Sequence, residues 1–312
     1  MDSTSCSLPR RHFTRRICCE PHSAQTRLGR EAWLSVRVDR ASHSRHLANG
    51  FWDTAVMLLV DAGFPDPPGL DTAVSHALLL QVARGERGPT LRLHASGSVV
   101  AFGRRDSVQP GYRQAVDSAL ASGFGAVERL AGGRAAVFHP GTLAFSWTVP
   151  VDNPRAGIIE RFNEISTIML DAFRSLGIDA RVGEVPGEYC PGAHSVSIGG
   201  VHKVMGVGQR IISGAAHVGG VVVVSGGGLV ADVLIPVYEA LGIEWDPATS
   251  GDLLSAAPGI TIEDARRAIL DRFEANHRLE PATLDATTLA LASELEPLHG
   301  SSRSIPEPSR GT

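Results

Sequence analysis

The first regular pattern of hydrophobic and polar positions in the chain begins at Leu70. Apolar residues then recur every three or four positions, as they do on one face of an amphipathic helix: Ala73, Val74, Ala77, Leu78 and Val82. Gly85 follows where this pattern stops, and glycine is common at the end of a helix. The spacing therefore predicts a helix that begins near Leu70 and ends at Gly85.

Short apolar or alternating runs between turn residues follow this helix and predict strands. They lie at residues 90–94, 98–102, 126–130, 135–139, 143–149, 179–182, 195–198, 205–212 and 219–224. Helical periods predict helices at residues 111–122, 153–176, 230–241, 262–276 and 285–294. The pattern is typical of the α+β class, with mixed, largely antiparallel sheets flanked by helices and a small C-terminal helical appendix.

The same pattern divides the chain into four parts. Residues 1–56 are rich in Arg, His, Ser and Cys and lack a sustained apolar period, so we expect a disordered N-terminal extension. Met57 is an alternative natural start. The main domain is predicted at 57–242, the helical appendix at 243–300, and a polar, disordered tail at 301–312.

Composition and charge exclude several classes of partner. The chain is 43% hydrophobic and 20% charged, which is ordinary for a globular protein. A formal net charge of −4 provides no overall basic footprint for nucleic acid or an anionic membrane. The longest apolar runs also stop well short of the roughly 20 residues of a membrane helix. We therefore expect neither nucleic acid nor a membrane as partner.

The cysteines indicate a reducing compartment. Three of the four lie within the first twenty residues, and Cys190 is the only one from Met57 onward. A single thiol in the body of the chain is typical of a cytoplasmic protein. The N-terminal cysteines lack the spacing with which a chain surrounds zinc, so we expect no metal site.

Lysine use is more informative than net charge. The chain has 29 Lys and Arg residues, and Lys203 is the only lysine among them. Arginine thus fills every other cationic position. Lysine differs from arginine in its compact ammonium, its slim stem and its readily shifted pKa. Lys203 is therefore a candidate for chemistry that arginine cannot perform, although a lysine retained by chance is the alternative.

Two turn-rich segments carry further candidates. Arg129 precedes Gly132 and Gly133, where backbone amides can approach a ligand closely and a guanidinium offers several donors. A tight hairpin turn with solvated arginines is the alternative. Cys190 lies in a loop just before Pro191-Gly192, where a thiol can be exposed and reactive. Its alternative is a small buried hydrophobe.

Lys203 follows Cys190 by thirteen positions, across one predicted strand and a Gly-Gly turn, so the two side chains can return to each other. A nearby ammonium would lower the pKa of the thiol below its ordinary value of about 8.5. The same donor could bind the carbonyl oxygen of a thioester as charge develops on it. The pair is thus a candidate for acyl transfer through a thioester.

Three segments together resemble the lipoate-protein ligase, octanoyltransferase and biotin-ligase superfamily. They are residues 129–139, Cys190-Pro191-Gly192, and residues 203–210, whose pattern is K-x-x-G-x-x-Q-R. The resemblance covers roughly residues 70–240 and implies the catalytic-domain fold of that superfamily. It implies catalytic roles for Cys190 and Lys203. It also implies substrate-binding roles for Arg129, Gly132, Gly133, His139, Gly206 and Gln209.

The Tyr-Cys-Pro-Gly loop is most similar to the cysteine-dependent amidotransferase branch. That branch implies transfer of an octanoyl or lipoyl group from a carrier-protein thioester, through Cys190, to a lysine of a lipoyl-domain protein. No cofactor is then needed. The implied partners are lipoyl-domain proteins, the glycine-cleavage carrier protein or an acyl carrier protein.

Two other functions stay open. An ATP-dependent lipoate-protein ligase would need ATP and Mg²⁺ and would leave Cys190 without a role. Glu128 stands where the family usually has a second arginine. The chain therefore lacks a cation that could hold a phosphate, which disfavours the ligase hypothesis. The third hypothesis is a noncatalytic protein that binds a lipoyl carrier.

Overall fold

The structure is a computed structural model that describes residues 56–300. These residues belong to one compact unit. Apart from Val56, the predicted N-terminal extension lies outside the described residues, and so does the predicted tail at 301–312.

Eleven strands and eight helices are found within residues 56–300. The strands are β1 (Met57–Val60), β2 (Thr90–Ala95), β3 (Val99–Phe102), β4 (Gly125–Glu128), β5 (Ala136–Phe138), β6 (Thr142–Val151), β7 (Ala180–Val182), β8 (Val196–Ile198), β9 (His202–Ile212), β10 (Gly214–Val223) and β11 (Leu279–Pro281). The helices are α1 (Leu70–Ala83), α2 (Arg104–Ser107), α3 (Tyr112–Ala121), α4 (Ile158–Ser175), α5 (Gly227–Leu241), α6 (Leu253–Ala256), α7 (Ile262–Glu274) and α8 (Ala286–Leu295).

The strands form two sheets. The large sheet has eight strands in the order β11-β1-β2-β6-β10-β9-β8-β7, and the small sheet has three in the order β4-β3-β5. In the large sheet, β1 runs parallel to β2 and to β11, and the other neighbours are antiparallel. The predicted α+β class with mixed, largely antiparallel sheets is confirmed.

Helices cover both faces of the large sheet and one face of the small sheet. On one side of the large sheet, Leu91, Phe145 and Trp147 pack in a single core with residues of α4 and α7, such as Ile165 and Phe273. On the other side lies α1, which packs on α8 through a separate small core. Helices α3 and α5 cover the small sheet. The space between α1, the small sheet and the large sheet is where the candidate site lies.

Local sequence explains where several elements begin. Thr261 and Asp264 form a reciprocal capping box at the start of α7. Asp285 caps α8 by accepting a hydrogen bond from the backbone N–H of Thr288 at 2.7 Å. The predicted helix at 153–176 starts only at Ile158, because Gly157 adopts a left-handed conformation with φ of 72°. Most of its predicted apolar face is buried, but Ile159 is 58% exposed.

The C-terminal segment is more than the predicted helical appendix. It contains α6, α7 and α8, but it also supplies β11, which pairs with β1 at the edge of the large sheet. Strands β1 and β11 were not predicted. The sequence of β1, Met57–Val60, is apolar throughout and does not alternate, and β11, Leu279–Pro281, ends in a proline, which is unfavourable in a strand. The boundary predicted at residue 242 therefore marks no break in this compact unit.

A substitution at Gly111 tests how closely α3 packs against α5. A Cβ atom on Gly111 would lie 1.7 Å from the carbonyl oxygen of Ala240, so Gly111→Ala must push the two helices apart. We expect a loss of about 1–3 kcal/mol in the free energy of unfolding, as for other overpacked sites. Chemical denaturation measures this change. Gly228→Ala is the matched control, because no atom lies within 4 Å of its Cβ position, and equal stability of both variants would refute the close approach.

Candidate active site

Cys190 lies in the loop between β7 and β8 in an unusual backbone conformation. Its φ is 43°, the only positive φ of a non-glycine residue within the described range 56–300. A left-handed conformation at such a residue costs on the order of 1–3 kcal/mol and persists only where the surroundings impose it. The side chain is half-buried. The loop therefore presents the thiol in a strained and fixed pose.

Three separate parts of the chain hold Cys190 in this pose. Its N–H donates to the hydroxyl of Tyr238 on α5 at 2.9 Å, and that hydroxyl donates to the carbonyl of Ala135. Its carbonyl oxygen accepts from Lys203 Nζ at 2.8 Å. Its Sγ accepts from the backbone N–H of Arg134 at 3.1 Å. The backbone and the sulfur are thus both fixed by hydrogen bonds.

Lys203 is completely buried beneath this loop. Besides the Cys190 carbonyl, its ammonium donates to the Tyr189 carbonyl at 2.9 Å and lies 3.2 Å from Glu188 Oε1. It also lies 4.8 Å from the centre of the Tyr189 ring, within cation–π range. Cys190 and Lys203 are therefore brought together, as the sequence predicted. However, these three acceptors occupy the three ammonium hydrogens, so an acyl carbonyl would have to displace one of them.

Glu188 is a site residue that sequence reasoning missed. Its buried carboxylate accepts from Ser195 Oγ at 2.6 Å, from the N–H of Gly192 at 3.0 Å and from the N–H of Val185 at 3.3 Å, besides pairing with Lys203. A carboxylate two positions before the cysteine is visible in the sequence. Its role depends on burial against the lysine, which the sequence does not reveal.

Electrostatics favour the thiolate of Cys190. Burial by itself raises the pKa of a thiol, but the nearby Arg129 guanidinium and Lys203 ammonium outweigh it and lower the pKa of Cys190 below its ordinary value. Arg129 Nη1 lies 3.8 Å from Sγ. Burial also lowers the pKa of Lys203, while the Cys190 and Glu188 charges oppose that shift. The sulfur is therefore poised for nucleophilic chemistry.

The Gly132-Gly133 loop packs directly against the thiol. Gly133 has φ of 116°, and a Cβ there would lie 2.9 Å from Cys190 Sγ, so a larger residue would collide with the sulfur. Arg129 closes this loop by donating from Nη1 to the carbonyl of Arg134 at 2.9 Å. The predicted Gly-Gly segment is therefore part of the site, and Arg129 serves both the loop and the thiol.

Two spaces meet at Cys190. An inner cavity runs between the large and small sheets, with Arg129, Lys203 and Gly206 at its Cys190 end and apolar residues such as Val127, Phe138 and Val221 along it. An outer groove opens on the other side of the thiol, lined by residues such as Gly132, Gly133, His194 and Gln209. The sulfur can thus react with a group in the cavity while a second molecule approaches along the groove.

Of the predicted binding residues, Gln209 makes structural hydrogen bonds in the outer groove, and His139 lies outside both spaces. Gln209 lies in the groove, where its side chain accepts from Arg161 Nε at 2.8 Å and donates to the Ile158 carbonyl, so it ties β9 to α4. His139 lines neither space. The preceding residue, Phe138, faces the cavity, so His139 points the other way and packs against Gly226 at the start of α5. The expectation that His139 binds substrate is therefore not supported by its position.

Within residues 56–300, no cluster of three or more His, Cys, Asp or Glu side chains could hold a metal ion. No helix in the same range is long and apolar enough to cross a membrane.

Several known proteins are similar to this chain. An octanoyl-GcvH:protein N-octanoyltransferase of Geobacillus kaustophilus is 29% identical over 170 residues, which are 54% of this chain and 60% of that protein. Octanoyltransferase LipM of Symbiobacterium thermophilum is 32% identical over 129 residues, 39% of this chain and 43% of that protein. The chain thus spans only part of the length of these relatives.

Solved structures show the same fold at lower identity. Lipoate-protein ligase A bound with ATP has a TM-score of 0.63 at 19% identity, covering 78% of this chain and 95% of that one. The bipartite lipoate protein ligase of Thermoplasma acidophilum has a TM-score of 0.59 at 20% identity, covering 78% and 92%.

The family profile described as the lipoyl protein ligase A/B catalytic domain matches residues 67–274, more than half of the chain. The chain therefore belongs to the lipoyl protein ligase A/B catalytic domain family.

Proposed function

We propose that this protein is an acyltransferase that moves an octanoyl or lipoyl group from a carrier protein to a lysine of a lipoyl-domain protein, through Cys190 and without ATP. The single observation that carries the proposal is the position of Cys190 Sγ. It lies at the junction of an apolar cavity and an open groove, with cationic neighbours that favour its thiolate. A nucleophile with that environment can hold the acyl chain on one side and exchange protein partners on the other.

The first step is transthioesterification. The Cys190 thiolate attacks the carbonyl carbon of the acyl carrier thioester and forms a new C–S bond. Collapse of the tetrahedral intermediate breaks the old C–S bond, and the carrier leaves as a thiolate that takes up a proton from water. Between these two events the carbonyl oxygen carries negative charge, and it lies beside the Arg134 N–H and the Arg129 guanidinium, which already surround Sγ.

The second step is aminolysis. A neutral acceptor lysine attacks the thioester carbon from the outer groove, an amide C–N bond forms, and the C–S bond to Cys190 breaks. The amine loses its proton to solvent, and the thiolate returns to its original environment. Splitting the transfer in this way lets donor and acceptor use the same groove in turn.

Lys203 affects the thiol in two ways, by holding the loop that carries Cys190 and by its positive charge. Its ammonium fixes the Tyr189 and Cys190 carbonyls, and it lowers the pKa of the thiol. Glu188 keeps this ammonium paired in a buried setting, where an unpaired charge would be costly. Both residues therefore position and activate the nucleophile.

The identity of the donor rests on the relatives. Several are named for octanoyl-GcvH as donor and protein as acceptor, so GcvH is a candidate beside an acyl carrier protein. An amide on GcvH would exchange with Cys190 by the reverse of the aminolysis step. We place the reaction in the cytoplasm, because the single body thiol must stay reduced.

Intact mass spectrometry tests the acyl-enzyme. Wild-type protein incubated without ATP with octanoyl acyl carrier protein, or with octanoyl-GcvH, is expected to gain one octanoyl group, because Cys190 is activated for attack. Cys190→Ala should gain none, and the donor that loads the enzyme identifies the carrier. Lipoylation of an added lipoyl domain that requires ATP and free lipoate, and that persists in Cys190→Ala, would instead establish a ligase.

The pH dependence of Cys190 alkylation tests the Glu188–Lys203 pair. Glu188→Gln removes the charge that raises the pKa of Lys203, so the buried lysine loses its proton at lower pH. The thiol then loses a cation that lowers its own pKa, so the midpoint of iodoacetamide alkylation should move to higher pH. Glu184→Gln, at an exposed position in the same loop, is the control. An unshifted midpoint in folded Glu188→Gln would refute this coupling.

Lys203→Arg tests whether a slim ammonium is required. The planar guanidinium is too large for a fully buried pocket whose three acceptors surround one nitrogen. Displacement of the Cys190 loop by even about 1 Å is expected to reduce kcat by about 100-fold. Arg113→Lys, the converse change at an exposed position of α3, should keep wild-type activity. Wild-type rates in Lys203→Arg would rule out this role.

A further inference from the structure

The inner cavity crosses the face of the large sheet that lies under α1. One row of paired residues on this face runs through Gly206 on β9, Val221 on β10, Ala144 on β6 and His94 on β2. Neighbouring strands are about 4.8 Å apart, so the row spans about 14 Å. All four residues line the cavity. The cavity therefore extends from the Lys203 end of β9 to the far side of β6.

Small residues make room along this path. In the next row, Gly219 on β10 pairs with Ser146 on β6, and both line the cavity. Gly219 has no space for a side chain, because a Cβ there would lie 2.6 Å from His217 Nε2. The floor beneath an acyl chain is thus Gly206, Val221 and Ala144 in the first row, and it is polar further along.

An eight-carbon acyl chain reaches this polar region. Its seven carbon–carbon bonds of about 1.5 Å span less than about 10.5 Å when extended. The chain starts near Gly206, because Lys203 Nζ contacts the Cys190 carbonyl and lies 3.6 Å from the Cβ position of Gly206. Its last carbons therefore lie over β6, next to Ser146, His217 and His94.

The side chains at this end are buried but not fully bonded. Ser146, His217 and His94 are each at most 5% exposed and line the cavity. His94 Nδ1 has no hydrogen-bond partner among the described residues. Within the same range, Ser146 Oγ has none, and His217 bonds only through Nδ1, to Thr148 Oγ1 at 3.4 Å. The far end of an otherwise apolar cavity therefore carries hydrogen-bond donors and acceptors that have no partner among the described residues.

His217 is a neutral donor or acceptor rather than a cation. Burial is the main cause that lowers the pKa of His217 to about 3. Its ring is therefore uncharged at physiological pH, with one nitrogen that accepts and one that donates. Such a group suits an uncharged, weakly polar ligand rather than an anion.

We propose that this cavity is built for an acyl chain with hydrogen-bonding heteroatoms at its distal carbons, so that the enzyme transfers lipoyl in preference to octanoyl groups. The inference rests on the proposed function and specifies its substrate. The methyl end of an octanoyl chain would leave these polar atoms dehydrated and unpaired, which opposes binding. The ring sulfurs of a lipoyl group are soft, weak acceptors that can face a hydroxyl and an imidazole N–H.

Competing donors test this preference. Wild-type enzyme is given lipoyl and octanoyl thioesters of the same acyl carrier protein with one acceptor lipoyl domain, without ATP, and kcat/KM is measured for each. We expect lipoyl to be preferred by at least about tenfold, because polar atoms left unpaired by a substrate cost specificity. The double variant Ser146→Ala/His217→Phe should reduce the ratio to about threefold or less.

Matched variants separate the effect from damage to the fold. Ser146→Ala alone removes only one oxygen and should also lower the ratio. It takes the place of the double variant in the test if the double variant does not fold. Ser175→Ala is the control, because its hydroxyl donates to the Ala172 carbonyl within α4, on the other face of the sheet. An octanoyl rate equal to or above the lipoyl rate, or a lipoyl preference unchanged in folded variants, would overturn the inference and leave the proposed function intact.

Binding of the free acids distinguishes failure of the inference from failure of the proposed function. If neither acyl group loads Cys190 from acyl carrier protein or from GcvH, the proposed function is wrong. Calorimetry of lipoate and octanoate with the Cys190→Ala protein then decides the inference alone. Tighter binding of lipoate by at least about tenfold supports a polar cavity end, and equal or weaker binding of lipoate refutes it.

Discussion

The candidate active site depends on one buried cation. Removing an ammonium from water costs several kcal/mol, and the structure offsets this for Lys203 with a carboxylate and two backbone carbonyls. Because those carbonyls belong to Tyr189 and Cys190, the contacts that keep the charge buried also hold the candidate nucleophile. An arginine would not fit these acceptors, which accounts for the one lysine in a chain that otherwise uses arginine.

The strained pose of Cys190 follows from this arrangement and from two other contacts. The residues that hold it lie 13, 48 and 56 positions away along the chain, on β9, on α5 and before β5. No short segment could maintain a left-handed cysteine, because the cost of that conformation exceeds what one local hydrogen bond contributes. The whole α+β framework is therefore needed to present one thiol between the inner cavity and the outer groove.

The two sides of the thiol have opposite physical character. The inner cavity is mostly apolar and formed over a sheet face where glycine and alanine replace larger side chains. The outer groove is open and includes the Gly132-Gly133 backbone, so a second protein can bring its lysine close to the sulfur. Under the proposed function, this asymmetry would separate an acyl chain, which prefers an apolar environment, from the donor and acceptor proteins, which bind and leave in turn.

The sequence by itself determined the six longer helices, most of the strands and the two candidate residues Cys190 and Lys203, but not the four-residue helices α2 and α6. Helix α1, whose predicted apolar positions are all buried, and strand β6, whose apolar and polar residues alternate, carry patterns that the chain displays locally. Strands β9 and β10 begin three and five residues before their predicted starts. The lone lysine and the turn around Cys190 were visible as composition and spacing. Only the tertiary structure decided that β1 and β11 pair, that Glu188 holds Lys203, and that His139 faces away from the cavity. The reason is physical. Side-chain period is a property of a short segment, whereas pairing between distant strands and the burial of a single carboxylate depend on how all the segments pack together.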